Sequence, residues 1–363
     1  MKIAVVGHVR FPIAPPFAGG MEAFTHALVQ GLIAKGHDVR LFAAGDSDAS
    51  VPLVPIVDRH YEQEMPWAKW QGSSRFGALQ RWIFARCWKA VEAIDSDIIH
   101  NNSLSSDLVV SAAASTIPMV TTLHVPPFKQ LANAIEISLA NPLLRYVTVS
   151  RAQLAQWSPS SPSAFRAIPN GIDVAHWRPR GPVGRDAIWA GRITPTKGTG
   201  DAVSAARRAG VSLNIFGPIE DEGYFAREVA PHLGEHICYY GSVDPESLAE
   251  HVARASVALI TPCWEEPFGL VAAEALTCGT PVAGYRRGAI PEVVGECGLL
   301  VDEGDIAGLA RAILEARGID RAACRKRGLQ FRHEKMIAAY ERLYADTISA
   351  RSSSCSSTEL ELA

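Results

Sequence analysis

Short apolar runs alternate along the chain with stretches whose apolar residues recur at helical spacing. Ile3–Gly7 reads as a buried strand, and Met21–Lys35 has helical spacing that stops at Gly36. Val39–Ala43 is the next strand, and Ile98–His100, Met119–Leu123 and Tyr146–Val149 read as further strands of the same half. Apolar strands separated by helices predict a parallel sheet covered on both faces. The pattern breaks over Trp157–Gly184, which holds five Pro and three Gly and no long apolar period. It then resumes with strands at Ala187–Ala190, Ser212–Phe216, Ile237–Tyr240, Val257–Ile260 and Leu299–Val301. Helices are expected at Gly200–Arg208, Pro245–Arg254, Leu270–Cys278 and Ile306–Ala316. The expected fold is therefore α/β, with two doubly wound Rossmann-like domains facing a central cleft at the carboxyl ends of their strands, where such sheets bind ligands.

Length agrees with two domains, since 363 residues exceed the usual span of one. A formal net charge of −3 argues against a general nucleic-acid binder. The seven Cys are scattered, odd in number and free of any C-x-x-C, and no H-E-x-x-H occurs. They read as reduced thiols, and no metal site is expected. Met1-Lys2 leads into a short apolar run that meets His8 and Arg10 at once, so a signal peptide is not expected. The expected location is cytoplasmic, with peripheral contact at the inner membrane face left open.

Three loops carry candidate chemistry. Gly19-Gly20 lies between the first strand and the first helix, where backbone amides can approach an anion or a sugar hydroxyl. Alone, such a pair before a helix is more often turn chemistry. Gly191–Gly198 follows the first strand of the second half and carries Arg192 and Lys197, a planar fork and a point charge suited to a diphosphate. It is not a Walker loop, because Gly198 follows Lys197. The third loop, Thr261–Gly269, carries Glu266 and leads into a helix that holds Glu274 one turn in. Between the two carboxylates lie the free amides around Phe268, Gly269 and Leu270. Carboxylates for hydroxyls at either end, with an anion site between, describe a nucleotide-sugar.

These pieces stand in an order that resembles the retaining family-four glycosyltransferases of the GT-B fold. The matching residues are Gly19-Gly20-Met21-Glu22, Ile168-Pro169-Asn170-Gly171-Ile172-Asp173, the Gly191–Gly198 loop and Glu266-x7-Glu274. They continue through Gly279-Thr280-Pro281-Val282, Gly288-Ala289-Ile290-Pro291-Glu292 and Gly298-Leu299-Leu300-Val301. The resemblance implies that Arg192 and Lys197 hold the donor diphosphate, that Glu266 contacts the transferred sugar and that Glu274 binds ribose. It gives Phe268, Gly269 and Leu270 backbone contacts to the donor, and brings Gly19 and Gly20 towards its phosphates. His124, just past Met119–Leu123, matches the position beside the sugar, and His100-Asn101-Asn102 matches a polar cluster near the acceptor. Gly217-Pro218 and Phe331-Arg332-His333 depart from the usual pattern.

The resemblance implies an N-terminal acceptor domain over 1–165 and a nucleotide-sugar domain over 166–330. A crossover helix over 331–348 would return to the first domain, leaving a flexible tail over 349–363. The implied reaction is retaining, metal-independent hexosyl transfer in carbohydrate biosynthesis. It needs no cofactor beyond a nucleotide-sugar co-substrate such as a UDP- or GDP-hexose. The acceptor would be a carbohydrate, a lipid-linked molecule or a small molecule, with no nucleic acid as partner. A nucleotide-sugar epimerase and a non-catalytic sugar-nucleotide-binding protein are the alternatives.

One segment stands apart from the resemblance. Residues 65–90 hold Lys69, Arg75, Arg81, Arg86, Lys89 and four of the eight Trp, with no acidic residue. On a helix, Phe76, Ile83, Cys87 and Ile94 would face the core, and Arg75, Leu79, Trp82, Arg86 and Lys89 would face outward. Such a face suits lipid headgroups or an anionic acceptor, but a helix packed on both sides within the first domain, with Arg stems over Trp, is the more ordinary reading.

Overall fold

A computed structural model describes residues 1–157 and 160–360, without the side chains of 352–360. The chain divides into two compact units. The first comprises Met1–Val149, Leu154–Pro169 and the chain from Met336 onward, and the second Ser150–Gln153 and Asn170–Lys335.

The first unit is built on a seven-stranded parallel sheet. Its strands are β1 (Lys2–Val6), β2 (Asp38–Ala44), β3 (Leu53–Val57), β4 (Ile98–Asn101), β5 (Met119–Leu123), β6 (Leu144–Thr148) and β7 (Phe165–Ala167), in the order 3-2-1-4-5-6-7. Side chains alternate strictly between two cores. Ala4, Val6, Phe42 and Ile99 enter one apolar cluster, while Ile3, Val5, Leu41 and Ile98 enter the other. A strand buried on both faces has no polar side to show, which is why these runs are apolar throughout. The helix Ser74–Glu92 covers the first cluster through Ile83, Phe84, Cys87 and Val91. The second is closed by Met336, Ile337, Tyr340, Leu343 and Tyr344 of the last helix, His333–Leu360.

The second unit holds a six-stranded parallel sheet. Its strands are β8 (Ala187–Ala190), β9 (Leu213–Phe216), β10 (Ile237–Tyr239), β11 (Val257–Ile260), β12 (Val282–Tyr285) and β13 (Gly298–Val301), in the order 10-9-8-11-12-13. The strand order reverses at β8, and β8, β11 and β12 lie side by side. The loops leaving their carboxyl ends, which begin at Gly191, Thr261 and Arg286, are therefore neighbours. By the same logic β1, β4 and β5 adjoin in the first unit, so the loop after Val6, Asn102 and His124 leave one edge of that sheet.

Several boundaries differ from the sequence expectation. β7 pairs with β6, so the first unit runs to Pro169 rather than to 165, and the stretch 157–184 is not devoid of regular structure. Residues 158–159 lie outside the described residues. β3 contains Pro55, which is tolerated because β3 is an edge strand. β12 is short and contains Gly284, where a Cβ would stand 2.1 Å from the Ile260 carbonyl oxygen, so its sequence shows no apolar run. The last helix continues past 348 to Leu360 instead of giving way to a tail at 349, since no Gly or Pro interrupts 349–360. Residues 361–363 lie outside the described residues. Leu79, expected on an outward face, packs half-buried against the first core.

Candidate functional site

In the second unit the loop after β8 forms a single 3-10 turn, Pro195–Lys197, and reaches Gly198 with φ of 65° before the helix Thr199–Ala209. Only glycine suits that point, because a Cβ would lie 2.1 Å from the Thr261 carbonyl oxygen. The close approach joins this loop to the loop after β11. Thr261 Oγ1 donates to the carbonyls of Lys197 and Gly198 at 3.0 and 2.9 Å, and Trp189 Nε1 donates to Thr261 Oγ1 at 3.1 Å.

The two cations of the first loop are each paired. Lys197 Nζ donates to Glu266 Oε2 at 2.6 Å and stands 5.1 Å from the centre of the Trp264 ring. Trp264 Nε1 donates to the same carboxylate oxygen at 2.9 Å. Arg192 Nη1 lies 2.5 Å from Glu220 Oε2, and both of those side chains are well exposed. Lys197 and Glu266, expected to hold different parts of one ligand, thus touch directly. Arg192 reaches neither and has its own carboxylate.

Glu266 is further fixed through its backbone. Its carbonyl accepts from the Ala289 amide at 2.8 Å, and Gly288, with φ of 53°, lies so close that a Cβ would meet Glu266 N at 2.4 Å. Glu265 Oε2 accepts from the Gly288 amide at 3.0 Å and Glu265 Oε1 pairs with Arg287 at 3.1 Å. The loop then turns at Gly269, with φ of 90°, into the helix Leu270–Thr277. Phe268 is buried edge-on against Phe331, with ring centres 5.5 Å apart, so only its backbone can meet a ligand. Gly269 and Leu270 open the helix, whose first amides have no intrahelical partner. Glu274 lies one turn in, half-buried between alanines, and burial pushes its carboxyl up to about 7.

In the first unit Gly19 precedes the helix Gly20–Ala34, and its backbone is extended, a conformation open to any residue. A Cβ there would crowd Glu22 Oε2 at 3.1 Å. Glu22 is buried, and its Oε1 lies 2.9 Å from His8 Nε2. His124 Nε2 donates to Asn102 Oδ1 at 3.1 Å, and its ring packs edge-on against Phe24 at 4.6 Å. Since an amide oxygen only accepts, the proton sits on Nε2 and Nδ1 keeps a lone pair. Burial, reinforced by His100 and His8, lowers His124 to about 3, so the ring is neutral at physiological pH.

His100, Asn101 and Asn102, expected near an acceptor, are closed to solvent. Of the three, Asn102 meets His124 directly, and His100 in turn meets Asn102. His100 Nε2 stands 3.0 Å from both Asn102 Oδ1 and Thr122 Oγ1, and its Nδ1 accepts from the Tyr344 hydroxyl. Thr122 in turn meets the Tyr340 hydroxyl at 2.9 Å.

Sequence reasoning passed over Trp264, Glu265, Arg287, Glu220 and His8. Trp264 and Glu265 flank Glu266 and could have been suspected as its supports. Glu220, Arg287 and His8 meet their partners only through the tertiary fold. Among the described residues no group of three or more His, Cys, Asp or Glu is placed to hold a metal. A cavity of about 270 Å³ lined by Lys2, Asp38, Arg40, Asp95 and Ser96 opens at the opposite end of the first sheet and contains none of these groups.

The comparisons with known proteins fit this geometry. Residues 18–176 match the description Glycosyltransferase Family 4, and residues 184–317 match Glycosyl transferases group 1. The chain is 26% identical to a D-inositol 3-phosphate glycosyltransferase of Mycolicibacterium vanbaalenii, over 95% of this chain and 90% of that protein. It is also 26% identical to a glycogen synthase of Mycobacterium tuberculosis, over 84% of each. Among solved structures, sucrose-phosphate synthase from Thermosynechococcus elongatus superposes with a TM-score of 0.78 at 20% identity, over 96% of this chain and 99% of that one. HepE of Anabaena in complex with UDP-glucose gives 0.70 at 18%, over 96% and 100%. The two parallel sheets are the Rossmann-like halves of a GT-B fold, and the chain belongs to the family-four, group 1 glycosyltransferases.

Proposed function

We propose that this glycosyltransferase moves a hexose, with retention of configuration and without a metal ion, from a UDP- or GDP-sugar to a hydroxyl of a carbohydrate, lipid-linked or small-molecule acceptor. One observation carries the reading. The loops after the adjacent strands β8 and β11 bring Lys197 against Glu266, with Arg192 on the same loop and Glu274 on the helix that follows. Arg192, Lys197 and the amides at Gly269 and Leu270 take up the charge that develops on the departing diphosphate. Glu266 accepts from hydroxyls of the transferred sugar and Glu274 from those of the ribose. In the first unit, we assign His124 Nδ1 to a sugar hydroxyl and the Gly19-Gly20 turn to a phosphate oxygen.

Retention without a protein nucleophile follows if the acceptor oxygen attacks on the face the diphosphate leaves. The new bond joins the acceptor oxygen to the anomeric carbon, the bond from that carbon to the phosphate oxygen breaks, and the freed phosphate oxygen takes the acceptor's proton. Thermal unfolding in the presence of UDP-, GDP- and ADP-sugars tests the reading. A donor at a hundred times its dissociation constant adds about 2.7 kcal/mol to stability and raises the midpoint. No rise with any of the three would overturn it.

Glu274 adds a pH signature. Its buried carboxyl titrates at about 7, and ribose hydroxyls donate to the ionised form. The ionised fraction falls as pH falls through 7, so donor affinity should drop about tenfold from pH 8 to pH 6. The diphosphate of a nucleotide-sugar does not titrate there, so calorimetry with the intact donor isolates the effect. Glu274→Gln should flatten the profile. A pH-independent affinity in the parent protein would remove Glu274 from the ribose.

A further inference from the structure

The helix Ser74–Glu92 turns one side to the first core and leaves the other uncovered. At about 100° per residue, Arg75, Ala78, Arg81, Trp82, Ala85, Arg86 and Lys89 fall on the uncovered half, and each is exposed. Trp82 is 55% exposed at its centre, and Trp67, in the short turn before the helix, is 38% exposed. Lys69 stands in the same turn. Glu92, at the last position of the helix, is the one carboxylate on this half.

None of Lys69, Arg75, Arg81, Arg86 and Lys89 has a carboxylate within ion-pair distance among the described residues. On this face two of the three arginines lie on aromatic rings. The Arg75 guanidinium is 5.4 Å from the centre of the Trp70 ring, and that of Arg86 is 5.8 Å from Trp82. Five cations without a carboxylate partner, interleaved with the exposed indoles of Trp67 and Trp82, present charge and apolar surface side by side to solvent.

We propose that this face docks the protein on an anionic lipid surface. Charge complementarity selects the sign of the partner, and the exposed indoles select its kind. Indole rings settle at the boundary between headgroups and acyl chains, while Lys and Arg reach the lipid phosphates. A soluble polyanion would use the cations and leave Trp82 idle. The proposal is independent of the donor reading, because it rests on a face that carries none of the donor residues.

Flotation of the full chain with phosphatidylcholine vesicles, with and without phosphatidylglycerol, tests it. The parent should bind only the anionic vesicles, and binding should weaken as salt is raised. Charge reversal at Arg75, Arg86 and Lys89 should lower the partition coefficient by roughly a hundredfold or more, and Trp82→Ala should lower it at constant charge. Unchanged thermal midpoints and unchanged donor affinity would show that the variants are folded. Failure of the parent to bind, or equal binding by the charge-reversed variant, would overturn the proposal. So would full binding by Trp82→Ala together with equal affinity for heparin, the result expected for a polyanion site.

Discussion

Lys197→Met should lower the rate of transfer by about 10²–10³-fold, the range found when one preorganised donor to a developing anion is removed. Two side chains place the ammonium at once, Glu266 at 2.6 Å and the Trp264 ring at 5.1 Å. An ion held in this way is already oriented before the diphosphate starts to leave. Methionine keeps the length of the stem over Trp264 and removes the charge. The loop itself should survive, because its ties to the next loop are made by Thr261 to backbone carbonyls, including that of Lys197. The thermal midpoint should therefore move little, as for a partly exposed ion pair worth about 0–1 kcal/mol. Lys197→Arg is not a rescue. A planar fork does not fit the single point between Glu266 Oε2 and an indole face. Turnover of saturating donor and acceptor, measured beside the midpoint, checks the claim. Normal turnover in a folded Lys197→Met protein would take Lys197 out of the chemistry.

What could be read from the sequence divides along physical lines. Central strands such as Met119–Leu123 and Val257–Ile260 were legible because burial on both faces demands an apolar run. β3 and β12 were not, since Pro55 suits an edge and Gly284 answers a backbone approach from Ile260 rather than a need for volume. Gly198, Gly269 and Gly288 could be placed in a motif, but their necessity shows only in the left-handed backbone and the crowding around each. The pairing of Lys197 with Glu266 crosses 69 positions of chain. No local pattern encodes it, and only the adjacency of β8 and β11 brings the two together. The polar run His100-Asn101-Asn102 suggests an acceptor role, but strand register carries it inside, where Asn102 meets His124.

The two glutamates should separate cleanly, and the contact between Lys197 and Glu266 sharpens the expectation. Glu274 is assigned to the ribose, which does not change during transfer, so its contribution is similar in the ground and transition states. Glu274→Ala should mainly weaken nucleoside diphosphate binding, by roughly 10- to 150-fold for a charge-assisted hydrogen bond of about 1.5–3 kcal/mol. Glu266 is assigned to the sugar that gains positive character, so its loss should lower turnover by a comparable factor. Its effect on the free diphosphate has the opposite sign. In the unliganded protein Glu266 competes for the Lys197 ammonium, and removing that carboxylate releases the cation to the phosphates. Glu266→Ala should therefore hold or raise nucleoside diphosphate affinity while transfer falls. Glu266→Gln keeps an acceptor for Trp264 Nε1 and should lie between the two on both measures. Calorimetry with the diphosphate, beside the transfer rate of each variant, distinguishes the outcomes. Loss of diphosphate affinity in Glu266→Ala with full affinity in Glu274→Ala would exchange the two roles. Unaltered binding and turnover in both would mean that the donor sits elsewhere on the fold.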